Sequence, residues 1–396
     1  MEQRQIRIGS IGQEHYDECM ALSQFAFQYK KTADELEASR SGFLEEPADR
    51  WAAFAGNRLA AQATVLELQT YIAGRPFAMG GVAGVATWPE YRRQGLVAKL
   101  LKHSLEAMRE KGQTLSFLYP FAFAFYRKFG WETFTEHKHY TLEASQLPPR
   151  SSYEGTIERV EGVAGLNAVY QTYAARYNGS LARTELWWQR RIASSKKGQI
   201  ALYRGADGAE QGYVIYQVEQ RELRVHEMVA LHEEAKRALW SFLAQHDSMI
   251  DKAKLTVPVD DTWTDLLPDP RIKQEIVPYF MARIVDVEAF LPLYPFLPGE
   301  PVTITLQVAD EHALWNKGVY ELSLGASGRC LVSRSESELP ASEGVHLDIG
   351  ALAMMMLGYR KGEQLSSSGR IHGDLEAINR LQSRIPERTT YLMDFF

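Results

Sequence analysis

The chain has 396 residues, 45% of them hydrophobic and 24% charged, with 44 Lys and Arg against 50 Asp and Glu for a formal charge of −6. Such a length is too great for one hydrophobic core and predicts two or three domains of a soluble globular protein, while the mild acidity excludes a basic nucleic-acid-binding face. The two cysteines, Cys19 and Cys330, lie far apart, which excludes a disulfide framework or a cysteine metal site and suits a reducing cytoplasm. The polar start, Met-Glu-Gln-Arg, carries no signal-peptide pattern. Apolar runs such as 351–357 fall far short of the ~20 residues that a membrane-spanning helix needs.

In chain order, residues 5–8 read as a short strand. A helix over 15–27 places Met20, Leu22 and Phe25 at helical spacing. Short apolar stretches at 50–54, 58–68 and 81–87 read as an antiparallel run, with Gly74-Arg75-Pro76 as a turn between two of them. The strand at 81–87 stops at a Trp-Pro turn. Arg92-Arg93-Gln94-Gly95 follows, then a helix over 96–110 with Leu100, Leu101, Leu105 and Met108 on one face. A strand at 115–119 is expected beside 81–87, then a short helix at 121–129 and a final strand at 134–142.

The turn at 92–95 carries the chemistry. A helix start offers free backbone N–H groups and a partial positive charge, which attract phosphate oxygens. Two arginines and a glycine beside it let the backbone close on a pyrophosphate, and coenzyme A is the best candidate. No Gly-Lys-[Ser/Thr] loop and no Gly-x-Gly-x-x-Gly turn is present, so the nucleotide-triphosphate and dinucleotide readings fail.

Leu147-Pro-Pro-Arg-Ser-Ser152 marks a first boundary. Beyond it the α/β flavour repeats, with helices at 166–175, 185–192 and 232–245 and strands at 200–203, 212–220 and 222–230. The step at 229–235 parallels 85–96 in layout but carries His232-Glu233-Glu234. Carboxylates at a helix start satisfy the dipole themselves and repel a pyrophosphate, so the second unit is expected not to bind the cofactor. Trp187 and Trp188 are expected to pack inside it. The proline-rich stretch 290–298 opens a third unit, with strands at 302–308, 318–324 and 345–349 and helices at 350–357 and 376–385. Met354, Met355 and Met356 read as core.

Arg92-Arg93-Gln94-Gly95-Leu96-Val97 resembles the [Gln/Arg]-x-x-Gly-x-[Gly/Ala] signature of the GCN5-related N-acetyltransferase superfamily, with Val97 at the last small position and Ala98 after it. Tyr126-Arg127-Lys128-Phe129-Gly130-Trp131 is similar to the superfamily's Tyr-x-x-x-Gly-aromatic mark. With the length and the aromatic end Tyr391-Leu-Met-Asp-Phe-Phe396, the chain resembles the Eis (enhanced intracellular survival) family. That resemblance implies an α/β (α+β) architecture in three parts: an acetyltransferase domain binding acetyl-CoA (1–147), a degenerate acetyltransferase-like domain (148–288) and a sterol-carrier-protein-like domain (289–396) whose C-terminus reaches the active site. It also implies a cytoplasmic homo-oligomer, a hexamer, using acetyl-CoA as cosubstrate and no metal.

The family's roles carry over residue by residue. Backbone groups of Val85, Ala86 and Thr87 are expected to pair with the pantetheine arm as an added strand would. Arg93, Gln94, Gly95, Leu96, Val97 and Ala98 are expected to wrap the pyrophosphate, with Arg92 as a further side-chain contact, and Phe121 and Ala122 to lie near the pantetheine. Tyr126 is the expected general acid, because a phenol of pKa about 10 keeps its proton at neutral pH. The expected general base is the α-carboxylate of Phe396. At a pKa of about 3.3–3.7 it is a poor base in open water, and burial between aromatic walls would raise that value. Asp394, Asp34, Glu35 and Glu37 are candidates for attracting a cationic substrate.

Three functions stay open. A multi-acetylating transferase acting on aminoglycosides or other small polycations calls for a wide acidic pocket around Tyr126. A protein-lysine acetyltransferase calls for an open groove beside the cofactor strand. A non-catalytic acyl-CoA- or lipid-binding regulator calls for cofactor binding without turnover.

Overall fold

Three sheets organise the chain, which we describe from a computed structural model over residues 6–396. Gln5, the first residue of the expected opening strand, lies outside the described residues. In chain order the elements are β1 (Ile6–Ser10), α1 (Tyr16–Phe27), α2 (Ala33–Glu45), β2 (Ala48–Ala55), β3 (Arg58–Ile72), β4 (Arg75–Thr87), α3 (Leu96–Glu110), β5 (Leu115–Leu118), α4 (Phe123–Arg127), β6 (Glu132–Thr133) and β7 (Glu136–Glu143). Then come β8 (Thr156–Val160), α5 (Leu166–Ala174), α6 (Glu185–Trp187), a π-turn (Trp188–Ile192), α7 (Ala193–Ser195), β9 (Gln199–Arg204), β10 (Glu210–Glu219), β11 (Glu222–Ala230), α8 (Glu233–Ala244), β12 (Lys252–Val257), β13 (Lys273–Pro278) and β14 (Met281–Ile284). The last part holds α9 (Val287–Leu293), β15 (Val302–Ala309), β16 (Gly318–Leu324), β17 (Cys330–Ser335), β18 (Val345–Asp348), α10 (Ile349–Met356), α11 (Gly362–Ser367), β19 (Ile371–Gly373) and α12 (Leu375–Ser383).

The strand periodicity and the amphipathic face of α3 predict their elements well. Leu100, Leu101, Leu105 and Met108 are all fully buried. The hairpin turn sits one residue earlier than expected. Ile72 pairs with Arg75, so Ala73 and Gly74 form the two-residue turn, both left-handed at φ 46° and 82°. Helix α2 was not anticipated. Its signal is a capping box, in which the Glu35 N–H donates to Thr32 Oγ1 at 3.2 Å and the Thr32 N–H to Glu35 Oε2 at 2.8 Å.

The first sheet runs β1-β2-β3-β4-β5-β14-β6 and the second, read from its other edge, β8-β9-β10-β11-β12-β7-β13. In each the fourth and fifth strands pair in parallel and the rest antiparallel. Helix α3 makes the parallel crossover in the first sheet and α8 in the second. The two units are the same fold with the sixth strand exchanged. The strand expected to close the first unit at 134–142 is therefore corrected: β7 lies between β12 and β13 in the second sheet, and β14, from beyond the second unit, fills its place between β5 and β6. Arg283 on β14 is fully buried, pairs with Asp310 of the third unit and donates to the Phe129 carbonyl. The strand thus locks all three units together. A fragment of residues 1–147 exposes the facing edges of β5 and β6. We expect it to be insoluble, or to lack the cooperative melt of the full chain by circular dichroism.

The third sheet, β17-β16-β15-β18-β19, packs its apolar face on α10, where Met354, Met355 and Met356 lie in the core as expected. After α12 an irregular tail, residues 384–396, runs back between the first two units.

Candidate active site

Strand β4 is where the first unit opens. On one side β5 pairs with it only from Met79 to Val82. On the other, β3 pairs with it throughout, but the register slips between Gln62 and Thr64, and Gly84 takes a left-handed φ of 60° at that bulge. Beyond Val82 the β5-facing edge of β4 is free, so Val85, Ala86 and Thr87 offer backbone groups to an added strand.

The polypeptide leaves β4 at Trp88 and enters α3 through two left-handed residues, Arg93 at φ 62° and Gly95 at φ 73°. A Cβ on Gly95 would meet no atom within 4 Å, so glycine is there for its conformation and the face stays open. No side chain caps α3, and the first backbone bond into it is Lys99 N–H to the Gly95 carbonyl at 3.1 Å. The N–H groups of Leu96, Val97 and Ala98 are therefore uncommitted and fit a pyrophosphate. Arg92 braces the turn, its Nε donating to the Thr87 carbonyl at 3.4 Å, and Gln94 Nε2 donates to the Glu90 carbonyl at 3.2 Å. The matching step in the second unit is closed. His232 Nδ1 accepts from the Ala235 N–H at 3.2 Å, and Glu233 and Glu234 fill the first turn of α8.

Tyr126 on α4 is 2% exposed and shares its apolar surroundings with Val82, Val85, Val97 and Ala98, so it packs beside both the open strand and the first turn of α3. Burial pushes its phenol above the ordinary tyrosine range. Phe121 is exposed and stacks edge-on against Tyr126 at 5.1 Å. Ala122 caps α4 in extended conformation.

A cavity of about 1120 Å³ brings Tyr126, Phe121, Val85 and Phe396 to one space, walled by α1, α2 and the π-turn. Ala86, Thr87 and residues 92–98 lie outside its lining, on the approach from α3. Phe396 is 7% exposed and its ring lies 4.8 Å from that of Phe280. It leaves so little room over β4 that a Cβ on Gly81 would come within 2.8 Å of its Cε2.

What holds the tail was not read from the sequence. Asp394, expected as a site for a cationic substrate, is 1% exposed and fully committed. It accepts from Arg183 Nε at 2.9 Å and Trp187 Nε1 at 2.8 Å, with Tyr170 OH at 3.3 Å. Trp187 therefore anchors the tail and does more than pack the second unit. Arg183 also forks onto Glu227 at 2.9 and 2.7 Å, and Lys196 bonds both Glu227 and the Met393 carbonyl, the latter at 3.0 Å. Burial alone would neutralise Glu227, but Arg183 and Lys196 hold it below the ordinary carboxylate range. Asn178 ties three segments at once: Ala73 N–H to its Oδ1 at 2.6 Å, its Nδ2 to the Leu357 carbonyl at 2.8 Å, and Tyr391 N–H to its carbonyl at 3.0 Å. Of the other carboxylates, Glu35 caps α2 and Glu37 pairs with Arg40 at 3.1 Å, and with Asp34 both are exposed outside the cavity lining.

His137 Nε2 donates to the Leu392 carbonyl at 2.7 Å, and its ring stacks on Tyr279 at 3.7 Å. Burial pushes its pKa down to about 4, against about 6.5 in an unfolded chain. The unfolded chain then binds more protons, so stability is lost as pH falls from about 6.5 through 4. We expect the melting temperature to drop over that window, and less steeply in His137→Gln.

Buried thiols play no part. Burial pushes Cys19 up to about 12 and Cys330 up to about 11, so neither is ionised at neutral pH. Among the described residues no cluster of His, Cys, Asp and Glu is placed to hold a metal ion, and no helix is long and apolar enough to cross a membrane.

Two sheets of one fold, one with an open helix start and one capped, define a tandem acetyltransferase with a third domain behind it. Residues 7–134 and 179–284 match two acetyltransferase (GNAT) domain families, and residues 287–393 match the sterol carrier protein domain family. Over 389 residues the chain is 25% identical to a Streptomyces avermitilis protein named as an uncharacterized N-acetyltransferase, covering 87% of this chain and 91% of that one. Over 365 residues it is 24% identical to N-acetyltransferase Eis of Mycobacterium tuberculosis, covering 85% and 86%. Its fold superposes on a probable N-acyltransferase from Enterococcus faecalis with a TM-score of 0.92 at 29% identity, covering 99% and 100% of the two chains. Eis1 from Mycobacterium abscessus superposes with a TM-score of 0.81 at 23% identity, covering 99% and 100%. The chain is an N-acetyltransferase with two GNAT domains and a sterol-carrier-like domain, and it is similar along most of its length to Eis.

Proposed function

We propose that the chain transfers the acetyl group of acetyl-CoA directly to a primary amine of a small molecule in the cavity between Tyr126 and Phe396. The observation that carries this reading is the convergence of the open β4 edge, Tyr126 and the buried chain end on one space of about 1120 Å³, with the uncapped start of α3 on the approach to it. Acetyl-CoA supplies, when bound, a thioester acyl group. The free edge at Val85–Thr87 would hold the pantetheine arm, flanked by Phe121 and Ala122, and residues 92–98 the pyrophosphate. The Phe396 carboxylate takes the proton that the amine loses as its nitrogen bonds to the acyl carbon. Tyr126 gives its proton to the sulfur as the carbon–sulfur bond breaks. Burial strengthens the phenol's hold on its proton, but it raises the proton affinity of the departing sulfur too, so donor and acceptor shift together.

The units 1–147, 148–288 and 289–396 then divide the work: cofactor seat, tail clamp, and carrier of the terminal carboxylate. The edge strand β13, exposed along all six residues, supports assembly into a homo-oligomer, with the family's hexamer as the model. Buried, unpaired cysteines support a cytoplasmic setting.

Arg93→Ala should raise the acetyl-CoA KM severalfold with little change in the amine KM. An unaltered acetyl-CoA KM would remove the 92–98 turn from the cofactor seat. The function itself is tested by thiol release from acetyl-CoA with a panel of primary amines. Amine-dependent release is expected, and cofactor binding without release from any amine would favour the non-catalytic regulator.

A further inference from the structure

We propose that the acceptor amine belongs to a molecule that also carries an anionic group, a carboxylate or a phosphate, held by a cationic wall of the cavity. This rests on the acetyltransferase reading and names its substrate class. Lys31, Arg50, Arg190 and Arg191 line the cavity, and Glu46 is the single acidic side chain among its lining residues. Glu46 is already shared. Arg191 Nε and Nη2 donate to its Oε1 at 2.9 and 2.5 Å, and Arg50 Nη2 lies 3.8 Å from its Oε2. Arg190 pairs with Glu45 and donates to the Gly42 carbonyl at 3.3 Å.

An arginine has five N–H donors in a fixed fork. Arg191 keeps Nη1 and Arg190 keeps Nε after these bonds, so beside Lys31 the wall still offers a charge-assisted donor on each arginine for a carboxylate or phosphate oxygen. The π-turn makes this possible by aiming the consecutive Arg190 and Arg191 at the same end of α2. A polycation entering the same space meets like charge on this wall and finds no acidic side chain that is not already paired; the Phe396 carboxylate, beside the reacting amine, is the anionic group left to it.

Register gives the size. Arg50 pairs with Thr64, and Thr64 with Ala83 beside the reactive edge. Two strand spacings of about 4.8 Å put roughly 10 Å between them, the span of an amino-sugar phosphate or a short amino acid.

The test measures thiol release from acetyl-CoA by the full chain with glucosamine 6-phosphate against glucosamine, 4-aminobutyrate against butylamine, and spermidine and kanamycin. At least a tenfold higher kcat/KM for the anionic member of either pair is expected. The two pairs separate phosphate from carboxylate. In the double variant Lys31→Met, Arg190→Gln that ratio should collapse toward one. Equal use of charged and neutral congeners, or a preference for spermidine or kanamycin, overturns the proposal. If no amine releases thiol, the acetyltransferase reading fails by itself. Calorimetric binding of the same two pairs to the wild-type chain then decides the cationic wall alone, and equal binding or none within a pair overturns it.

Discussion

Extending the chain beyond Phe396, even by a few residues, should lower acetyl transfer by about 10²–10⁴ while acetyl-CoA binds as before. The tail is not free to adapt. Its backbone is fixed at Tyr391 by Asn178, at Leu392 by His137, at Met393 by Lys196 and at Asp394 by Tyr279, whose hydroxyl donates to the Asp394 carbonyl at 2.9 Å. Four successive residues are held, so an added peptide bond at Phe396 has no slack to move aside. It would replace the carboxylate by a neutral amide. Loss of a general base costs about 10²–10⁴ in rate, and steady-state kcat beside calorimetric cofactor affinity reads the two effects separately. Gly81→Ala attacks the same point from the strand side, because its Cβ would fall 2.8 Å from the Phe396 ring. It should lower kcat without touching the cofactor turn. Full activity in the extended protein would refute the carboxylate as base.

Tyr126→Phe should lower kcat by about 10²–10³ and leave the acetyl-CoA Kd within a factor of two. The phenylalanine keeps the packing against Val82, Val85 and Val97, so little stability is lost. What goes is one proton in a water-poor corner, beside the place where negative charge develops on sulfur. A tyrosine that only packs would show unchanged kcat as well as unchanged stability. Such a result would take Tyr126 out of the chemistry.

The first unit was legible because its chemistry is local. Strand, Arg-Arg-Gln-Gly and helix follow one another, and the φ of Gly95 is what a glycine at that step supplies. Capping chemistry was equally local, and His232-Glu233-Glu234 foretold the closed start of α8. Helix α2 carries its signal in Thr32 and Glu35, whose spacing is that of a capping box, while its charged first turn looks like a solvated loop. The exchange of β7 and β14 was not readable. β7 is a polar, half-buried strand and β14 a four-residue buried one; neither pattern says which sheet takes it, and the choice is set by packing across the interface. Asp394 failed for the same reason. A carboxylate two residues from an end looks exposed, and nothing near it announces Arg183, 211 positions earlier. Buried pairs of this kind leave no periodicity, and removing one partner costs about 3–5 kcal/mol.

Calorimetric titration of the full chain with acetyl-CoA tests the central claim most directly. One site per chain is predicted, seated at the open start of α3, weakened by Gly95→Val and unaffected by changes at His232. Absence of binding heat, or two equivalent sites per chain, would contradict it.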